Sequence, residues 1–337
     1  MTESQPVVFY CYDESPFAAK VANLLLLKNL PHKRVKVPRA PPRPELSQLL
    51  GVTYRRIPVL AIGRDLYCDS ASIADAIERR FPPSTGYITL FPTRAGGGKA
   101  DTGLVKAFVK FYSDTILFGL AVIFLPWDKF PQAFLDDRSK LLGAPIKPAE
   151  MEERRPAALS TLLSHQALVE EQLQDGRNWL FDTKEPGLGD VSVHFILNWI
   201  RGFGTARPLF DTAAFPHTLS WLQRMDGFLK VRKTRGFAKF DNITGEAAAN
   251  AISVLPEDTL EATTFDPEEG KRLGLVKDAA VAVVAIGGPG EVPTVGTLVG
   301  LTKQEFVIQT HGTVASVNCH FPRLGYRAYG HQGAAKL

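Results

Sequence analysis

The chain has 337 residues, a formal net charge of +4 and 22% charged residues, and 45% of its residues are hydrophobic. This composition excludes a mostly disordered chain, and the length favours two or three domains. The small net charge gives no indication of a nucleic-acid partner. Three widely spaced cysteines do not form a disulfide framework, so we expect reduced thiols and a cytoplasmic protein.

The first 85 residues alternate between short strands and helices. Apolar and aromatic runs of strand length precede segments with helical spacing, and Pro16 stands where a helix can begin. A proline-rich stretch over 38–44 is expected to be irregular. The predicted elements are strands over 7–12, 34–37, 57–61 and 66–68, and helices starting near 16 and over 69–81. This pattern predicts a mixed β/α domain over 1–85.

From residue 95 to residue 240 the pattern changes to long amphipathic helices. Apolar residues keep helical spacing in four segments, around 104–115, 159–167, 193–200 and 222–229. The uncharged apolar run over 116–127 is too short to cross a bilayer, so we expect no membrane partner. An all-α domain over 95–240 is predicted.

The last part of the chain, 250–335, is rich in short β-type runs. Glycine and proline clusters separate them, and the cluster over 287–290 lacks the lysine and helix of a phosphate loop, so it is interpreted as a turn. A small antiparallel β-rich domain, a barrel or sandwich, is predicted. His311, Cys319 and His320 match no zinc spacing, and no metal is expected.

Four features of the first domain carry the chemistry. Ser15 stands at the N-terminus of the first helix, where an anion such as a thiolate is stabilised. Ile57-Pro58 opens a strand, where a cis bond would leave the backbone of Ile57 open to a ligand. The pair Asp69-Ser70 begins the next helix and suits an amino-acid head group, and Arg43 suits a carboxylate. Each feature alone also has a simple explanation as a helix cap or a solvent-exposed side chain.

In order and spacing, the four features resemble the glutathione transferase family over roughly residues 5–235. Ser15-Pro16-Phe17 is similar to the motif of omega-like classes, with serine at the catalytic position. Ile57-Pro58-Val59-Leu60 resembles the segment that binds the cysteinyl backbone of glutathione. Asp69-Ser70-Ala71-Ser72-Ile73 resembles the segment that holds the γ-glutamyl group, and Arg43 falls where a lysine meets the glycyl carboxylate.

The resemblance implies a thioredoxin-like N-terminal domain and a helical second domain. It implies that Ser15 stabilises the thiolate of glutathione, a co-substrate, for attack on a small apolar electrophile. It also implies glutathione contacts at Phe17, Arg43, Ile57, Pro58, Asp69 and Ser70. Tyr112 is the expected residue of the second-substrate pocket, and a homodimer is expected. The β-rich tail points to fungal-type relatives and to a role in detoxification or secondary metabolism.

The sequence departs from the family at two places. The capping box of the helical domain reads Gly187-Leu188-Gly189-Asp190, so its hydroxyl partner is absent. Cys11 falls where tyrosine-type members place their catalytic tyrosine, which leaves Tyr12 as an alternative to Ser15. Two other functions stay open: a glutathione-dependent double-bond isomerase, and a non-catalytic binding or scaffold protein with the same fold.

Overall fold

In the computed structural model, the structure describes residues 5–256, 260–288 and 290–331. Pro289, in the predicted turn over 287–290, and the ends of the predicted domains 1–85 and 250–335 lie outside the described residues. The first unit has the predicted β/α pattern. Its elements are β1 (Val7–Cys11), α1 (Pro16–Lys28), β2 (His32–Lys36), α2 (Pro44–Ser47), β3 (Val59–Ile62), β4 (Asp65–Cys68) and α3 (Ser70–Arg80).

The central strand β1 of this unit pairs in parallel with β2 and antiparallel with β3, and β3 pairs antiparallel with β4. The order β2-β1-β3-β4, with helices on both faces, is the predicted thioredoxin-like arrangement. The prediction differs at Pro44, which begins the short helix α2 instead of ending an irregular stretch.

The second unit is helical, as predicted. All four predicted helices form, and α6 is one that the sequence pattern did not indicate. The elements are α4 (Thr102–Ala107), a π-helix (Phe108–Leu117), α5 (Phe118–Ala121), α6 (Gln132–Leu142), α7 (Pro148–Leu173), α8 (Leu188–Ile200) and α9 (Pro216–Thr234).

The C-terminal part is β-rich, as predicted, and its strands join the first sheet. Its elements are β5 (Phe240–Asn242), α10 (Gly245–Ser253), α11 (Pro267–Leu273), β6 (Ala280–Ala285), β7 (Thr294–Leu301), β8 (Glu305–His311), β9 (Ser316–Pro322) and β10 (Tyr326–Gly330). Within the described part of the chain these strands form one ten-stranded sheet, in the order β10-β6-β7-β8-β9-β4-β3-β1-β2-β5.

The predicted antiparallel β-rich region over 250–335 is present, and its strands join the first sheet, which the sequence pattern did not indicate. Strands β6 to β10 are antiparallel to one another, but β9 runs parallel to β4, with Leu66 opposite Cys319 and Tyr67 opposite His320. An exposed strand edge offers unpaired N–H and C=O groups, and β9 satisfies those of β4. The tail thus extends the N-terminal sheet instead of folding apart from it.

Two apolar cores lie on opposite faces of the sheet. Because side chains alternate along a strand, Phe9 and Cys11 face α1, α3 and the helical unit, whereas Val8 and Tyr10 face the other side. The second core contains tail residues, among them Val281, Leu298, Phe306, Ile308 and Phe321. The tail is thereby part of the core that supports the first unit.

Among the described residues, one helical stretch, Thr102–Phe124, is long and apolar enough to cross a membrane by length and composition alone. It includes residues 116–124 of the apolar run over 116–127, which by itself is too short to cross a bilayer. Lys110 and Asp114 in this stretch form ion pairs with the first unit, so the stretch packs against protein.

Candidate functional site

The sheet register brings the three predicted ligand-binding segments to one end of the sheet, where the strands terminate. Val59 lies opposite Tyr10 of β1 and also opposite Cys68 of β4. The end of β1, the start of β3 and the end of β4 are therefore neighbours. Ile57-Pro58 directly precedes β3, Asp69-Ser70 directly follows β4, and Ser15 follows the end of β1 by four residues, so the topology gathers them at the same end of the sheet.

Ser15 is the N-cap of α1. Its Oγ accepts a hydrogen bond from the Ala18 N–H at 3.2 Å, and the residue is buried. Capping by serine satisfies one of the free amides of the first helical turn. Among the described residues the hydroxyl proton has no acceptor, so it remains available to an anion at this position.

The Ile57-Pro58 peptide bond is cis, as predicted. Neither the N–H nor the C=O of Ile57 has a hydrogen-bond partner among the described residues. Ile57 is half-buried and packs against both cores. An extended peptide could pair with these two backbone groups.

Asp69 has a φ of 80° and caps α3, with Oδ1 accepting from the Ala71 N–H at 2.9 Å. Its Oδ2 accepts from Lys110 Nζ at 3.2 Å and from the Tyr326 hydroxyl at 3.1 Å. Burial raises the pKa of this carboxyl, but the Lys110 ammonium and the Ala71 amide outweigh it and hold the pKa below its usual value. The carboxylate is thus charged and already paired.

Ser70 belongs to a second buried ionic group. Its Oγ lies 3.3 Å from Lys20 Nζ and 3.3 Å from Asp114 Oδ2. Lys20 and Asp114 form a salt bridge of 2.6 Å, and the lysine side chain is completely buried. Burial raises the pKa of Asp114, and Lys20 opposes that shift. The hydroxyl of Ser70 is therefore engaged within the protein.

Arg43 lies in the proline-rich loop and is buried. Its guanidinium donates to the carbonyl oxygens of Pro38 at 2.9 Å and Arg39 at 2.8 Å, and to that of Arg55. Burial lowers its pKa to about 10. These bonds hold the loop against the start of β3, and the contact with a glycyl carboxylate stays a prediction.

Aromatic side chains form a wall beside Ser15. Phe17 packs against Phe118 and Phe195 at centroid distances of 4.6 and 5.3 Å, and Phe118 stacks on Trp199 at 5.6 Å. Tyr112 packs against Phe108 at a centroid distance of 5.0 Å, and its hydroxyl donates to the His165 carbonyl at 3.4 Å. Its place in the second-substrate pocket stays a prediction, and the wall around Phe17 is the apolar surface next to the first helix.

The capping box of α8 keeps its acidic half. Asp190 is buried, and its carboxylate accepts from the amides of Gly187 at 3.1 Å and Leu180 at 2.9 Å and from the Trp221 indole at 3.0 Å. A Cβ at position 187 would lie 2.8 Å from the Leu90 carbonyl oxygen. The missing hydroxyl therefore has a steric cause.

The pair Asp69-Ser70 is called the head-group segment below. Sequence reasoning missed four residues that contact it: Lys20, Lys110, Asp114 and Tyr326. A signal was present in the chain, because Lys110 and Asp114 stand four residues apart in an otherwise apolar helix, where charges need partners. No comparable pattern in the sequence indicated Tyr326, because this residue belongs to the distant C-terminal strand β10. In the described part of the chain no group of His, Cys, Asp and Glu could hold a metal ion.

Two family models match parts of the chain. Residues 9–85 match the family "Glutathione S-transferase, N-terminal domain", and residues 123–234 match a domain family of unknown function, DUF7962. Residues 9–85 are therefore similar to the N-terminal domain of glutathione S-transferases, in a chain with a thioredoxin-like first unit, a helical second unit and a β-rich C-terminal region.

Two solved structures are similar to this chain. A glutathione-transferase-like protein from Pseudomonas syringae is 24% identical with a TM-score of 0.67, and the match covers 96% of this chain and 98% of that one. This likeness includes the tail and shows a shared fold. Rice GST1, solved with glutathione, is 18% identical with a TM-score of 0.44, and the match covers 74% of this chain and 96% of that one. A search of curated proteins gave no match.

Proposed function

We propose that this protein is a glutathione transferase that activates the thiol of glutathione for attack on a small apolar electrophile. One observation carries the proposal. The Ser15 hydroxyl proton and the backbone groups of Ile57, which have no partner among the described residues, lie at the same end of the sheet as the first amides of α3. A cysteinyl peptide lying on Ile57 would direct its sulfur towards Ser15.

The energy that this chemistry needs is available at the site. A free thiol has a pKa of about 8.5, and lowering it by about two units takes roughly 2.7 kcal/mol. A hydrogen bond to a charged group contributes about 1.5–3 kcal/mol. The N-terminus of α1 adds about 0.3–1 kcal/mol. The Ser15 hydroxyl and the helix together therefore suffice to make the bound thiolate the main form at neutral pH.

The thiolate sulfur attacks the electrophilic carbon and forms a carbon–sulfur bond, while the leaving group departs with its electron pair. The aromatic wall of Phe17, Phe118 and Trp199 suits an apolar acceptor beside the sulfur. The omega-like, fungal-type subclass and a role in detoxification or secondary metabolism are part of the same proposal.

A cytoplasmic homodimer is also proposed. All three cysteines are buried free thiols, which suits a reducing compartment. A dimer has to form without the outer edge of β4, because β9 is paired with it. The dimer surface therefore lies on another part of the molecule.

One observation favours a second function, that of a non-catalytic binding protein. Both oxygens of Asp69 already have partners within the chain, so the acidic side chain of the head-group segment is paired without a ligand. A reversible isomerase would use the same thiolate as a transferase, and only conjugation would consume glutathione.

The deciding experiment is titration calorimetry with glutathione, followed by an absorbance assay of thioether formation with chlorodinitrobenzene. A transferase binds glutathione and consumes it in the assay. Binding without consumption supports the isomerase or the binding protein, and folded protein that does not bind glutathione overturns the proposal.

A further inference from the structure

The carboxylate that would meet the amino group of a bound head group is already neutralised by this chain. Lys110 Nζ lies 3.2 Å from Asp69 Oδ2, and the Tyr326 hydroxyl donates to the same oxygen at 3.1 Å. The other oxygen is taken by the Ala71 amide. The Lys110 ammonium therefore already occupies the position at Asp69 that the amino group of a ligand would take.

Displacing Lys110 has a cost. The side chains of Asp69 and Lys110 are 14% and 18% exposed, so water screens this pair only in part. In the described part of the chain, Asp69 is the one carboxylate that forms an ion pair with Lys110. A ligand ammonium that took over Asp69 would leave Lys110 beside it without a partner, which is unfavourable in a semi-buried position.

The groups that remain free at this segment are donors. The N–H groups of Ser70 and Ser72, at the start of α3, have no acceptor among the described residues. The Lys110 ammonium has three donors, and Asp69 is its one hydrogen-bond partner among the described residues. Lys20 is already neutralised by Asp114. The segment thus offers free donors to a carboxylate, whereas its acidic side chain, Asp69, is already charge-paired with Lys110.

We propose that the head-group subsite recognises the α-carboxylate of a γ-linked thiol peptide and not its α-amino group, with Lys110 standing in for that amino group. This inference rests on the proposed function and narrows its substrate class. The ligand is an acyl-cysteinyl-glycine whose acyl chain ends in a carboxylate, whether or not the neighbouring carbon carries nitrogen.

The test compares glutathione with glutaryl-cysteinyl-glycine, which has the same carboxylate and thiol but lacks the amino group. Calorimetry on the whole wild-type chain is expected to give dissociation constants within threefold of each other. Tighter binding of glutathione by more than threefold overturns the inference while the proposed function stands. If neither peptide binds to folded protein, the proposed function fails, and the inference fails with it.

Two variants assign the effect to Lys110. Lys110→Met frees Asp69, so the ratio of the two dissociation constants should shift at least tenfold in favour of glutathione. Lys106→Met is the matched control, because Lys106 lies one turn earlier on the same helix and pairs with Asp75, and the ratio should stay at the wild-type value. An unchanged ratio in Lys110→Met overturns the assignment, and thermal unfolding shows whether each variant is folded.

Discussion

Asp65 and His320 face each other across the junction of β4 and β9, with the carboxylate Oδ1 3.0 Å from the imidazole Nε2. Both side chains are buried. The other ring nitrogen of His320 bonds Glu305 at 3.1 Å, and Arg80 reaches the second oxygen of Asp65 at 2.9 Å. A charged network therefore joins the first sheet to the tail within the protein.

This network makes stability depend on pH. Burial lowers the pKa of His320, but hydrogen bonds to Asp65 and Glu305 outweigh it and raise the pKa to about 9. An unfolded histidine has a pKa of about 6.5. The stabilisation is thus fully present below about pH 6.5 and is lost as the pH rises through about 9. Urea unfolding from pH 6 upwards to about pH 10 should show this loss.

His320→Gln should remove that dependence. It leaves Asp65 with less positive charge nearby, so we expect the free energy of unfolding to fall by about 3 kcal/mol at mildly acid pH. His311→Gln is the control, since His311 is exposed and bonds only Ser316 among the described residues. A wild-type profile that matches that of His320→Gln would contradict the role of the network.

The sequence predicts the local structure well and the junction poorly. Helical spacing and strand-length runs locate β1, α1, α3 and the long helices, because these patterns depend on neighbours within a few residues. The pairing of β4 with β9 joins segments about 250 residues apart in the chain. No local pattern in either strand encodes that partner, so the tail is assigned from sequence to a separate domain.

In the candidate site, too, local motifs are predictable from the sequence and long-range contacts are not. Ser15, Ile57, Pro58, Asp69 and Ser70 are found from local motifs, and the structure places all three segments at one edge. The partners of Asp69 depend on a π-helix that brings Lys110 to it and on a tail residue, Tyr326. Such contacts follow from tertiary packing and not from motif spacing.

Removing the tail should therefore unfold more than the tail. A chain that ends at residue 256 loses β9 from the edge of β4 and loses the tail half of the second core. We expect it to aggregate, because an exposed strand edge beside apolar surface favours intermolecular pairing. Gel filtration and thermal unfolding measure this outcome. A monodisperse truncated chain that melts within a few degrees of the full chain would show that the tail is an independent domain.

Ser15→Ala tests the thiolate donor. Loss of a hydrogen bond to a charged sulfur, about 1.5–3 kcal/mol, should raise the pKa of the bound thiol by about one to two units. The thiolate fraction at neutral pH then falls, so the conjugation rate should drop by roughly threefold to twenty-fivefold. The pH dependence of thiolate absorbance measures the first effect, and initial rates measure the second.

The same substitution also removes a helix cap, which costs about 1 kcal/mol of stability. Thr244→Ala is the matched control, because Thr244 caps α10 by accepting from the Ala247 amide at 3.1 Å. It should cost similar stability and leave the thiol pKa unchanged. Ser15→Thr should restore most of the activity. An unaltered thiol pKa in Ser15→Ala would assign the donor to another group, with Tyr12 as the first to examine.

Gly187→Ser tests the reason for the incomplete capping box of α8. Serine would supply the missing hydroxyl, and in an open site this would stabilise the helix by about 1 kcal/mol. Here the added Cβ would meet the Leu90 carbonyl oxygen and Pro92 Cδ, each at 2.8 Å. We expect the clash to dominate and to lower the free energy of unfolding by about 1–3 kcal/mol in urea titrations.

Gly227→Ser in α9, where no atom lies within 4 Å of the added Cβ, is the control and should be neutral or slightly stabilising. A stabilised Gly187→Ser variant would mean that the loop around Leu90 yields at little cost, and the steric reason for glycine would be wrong.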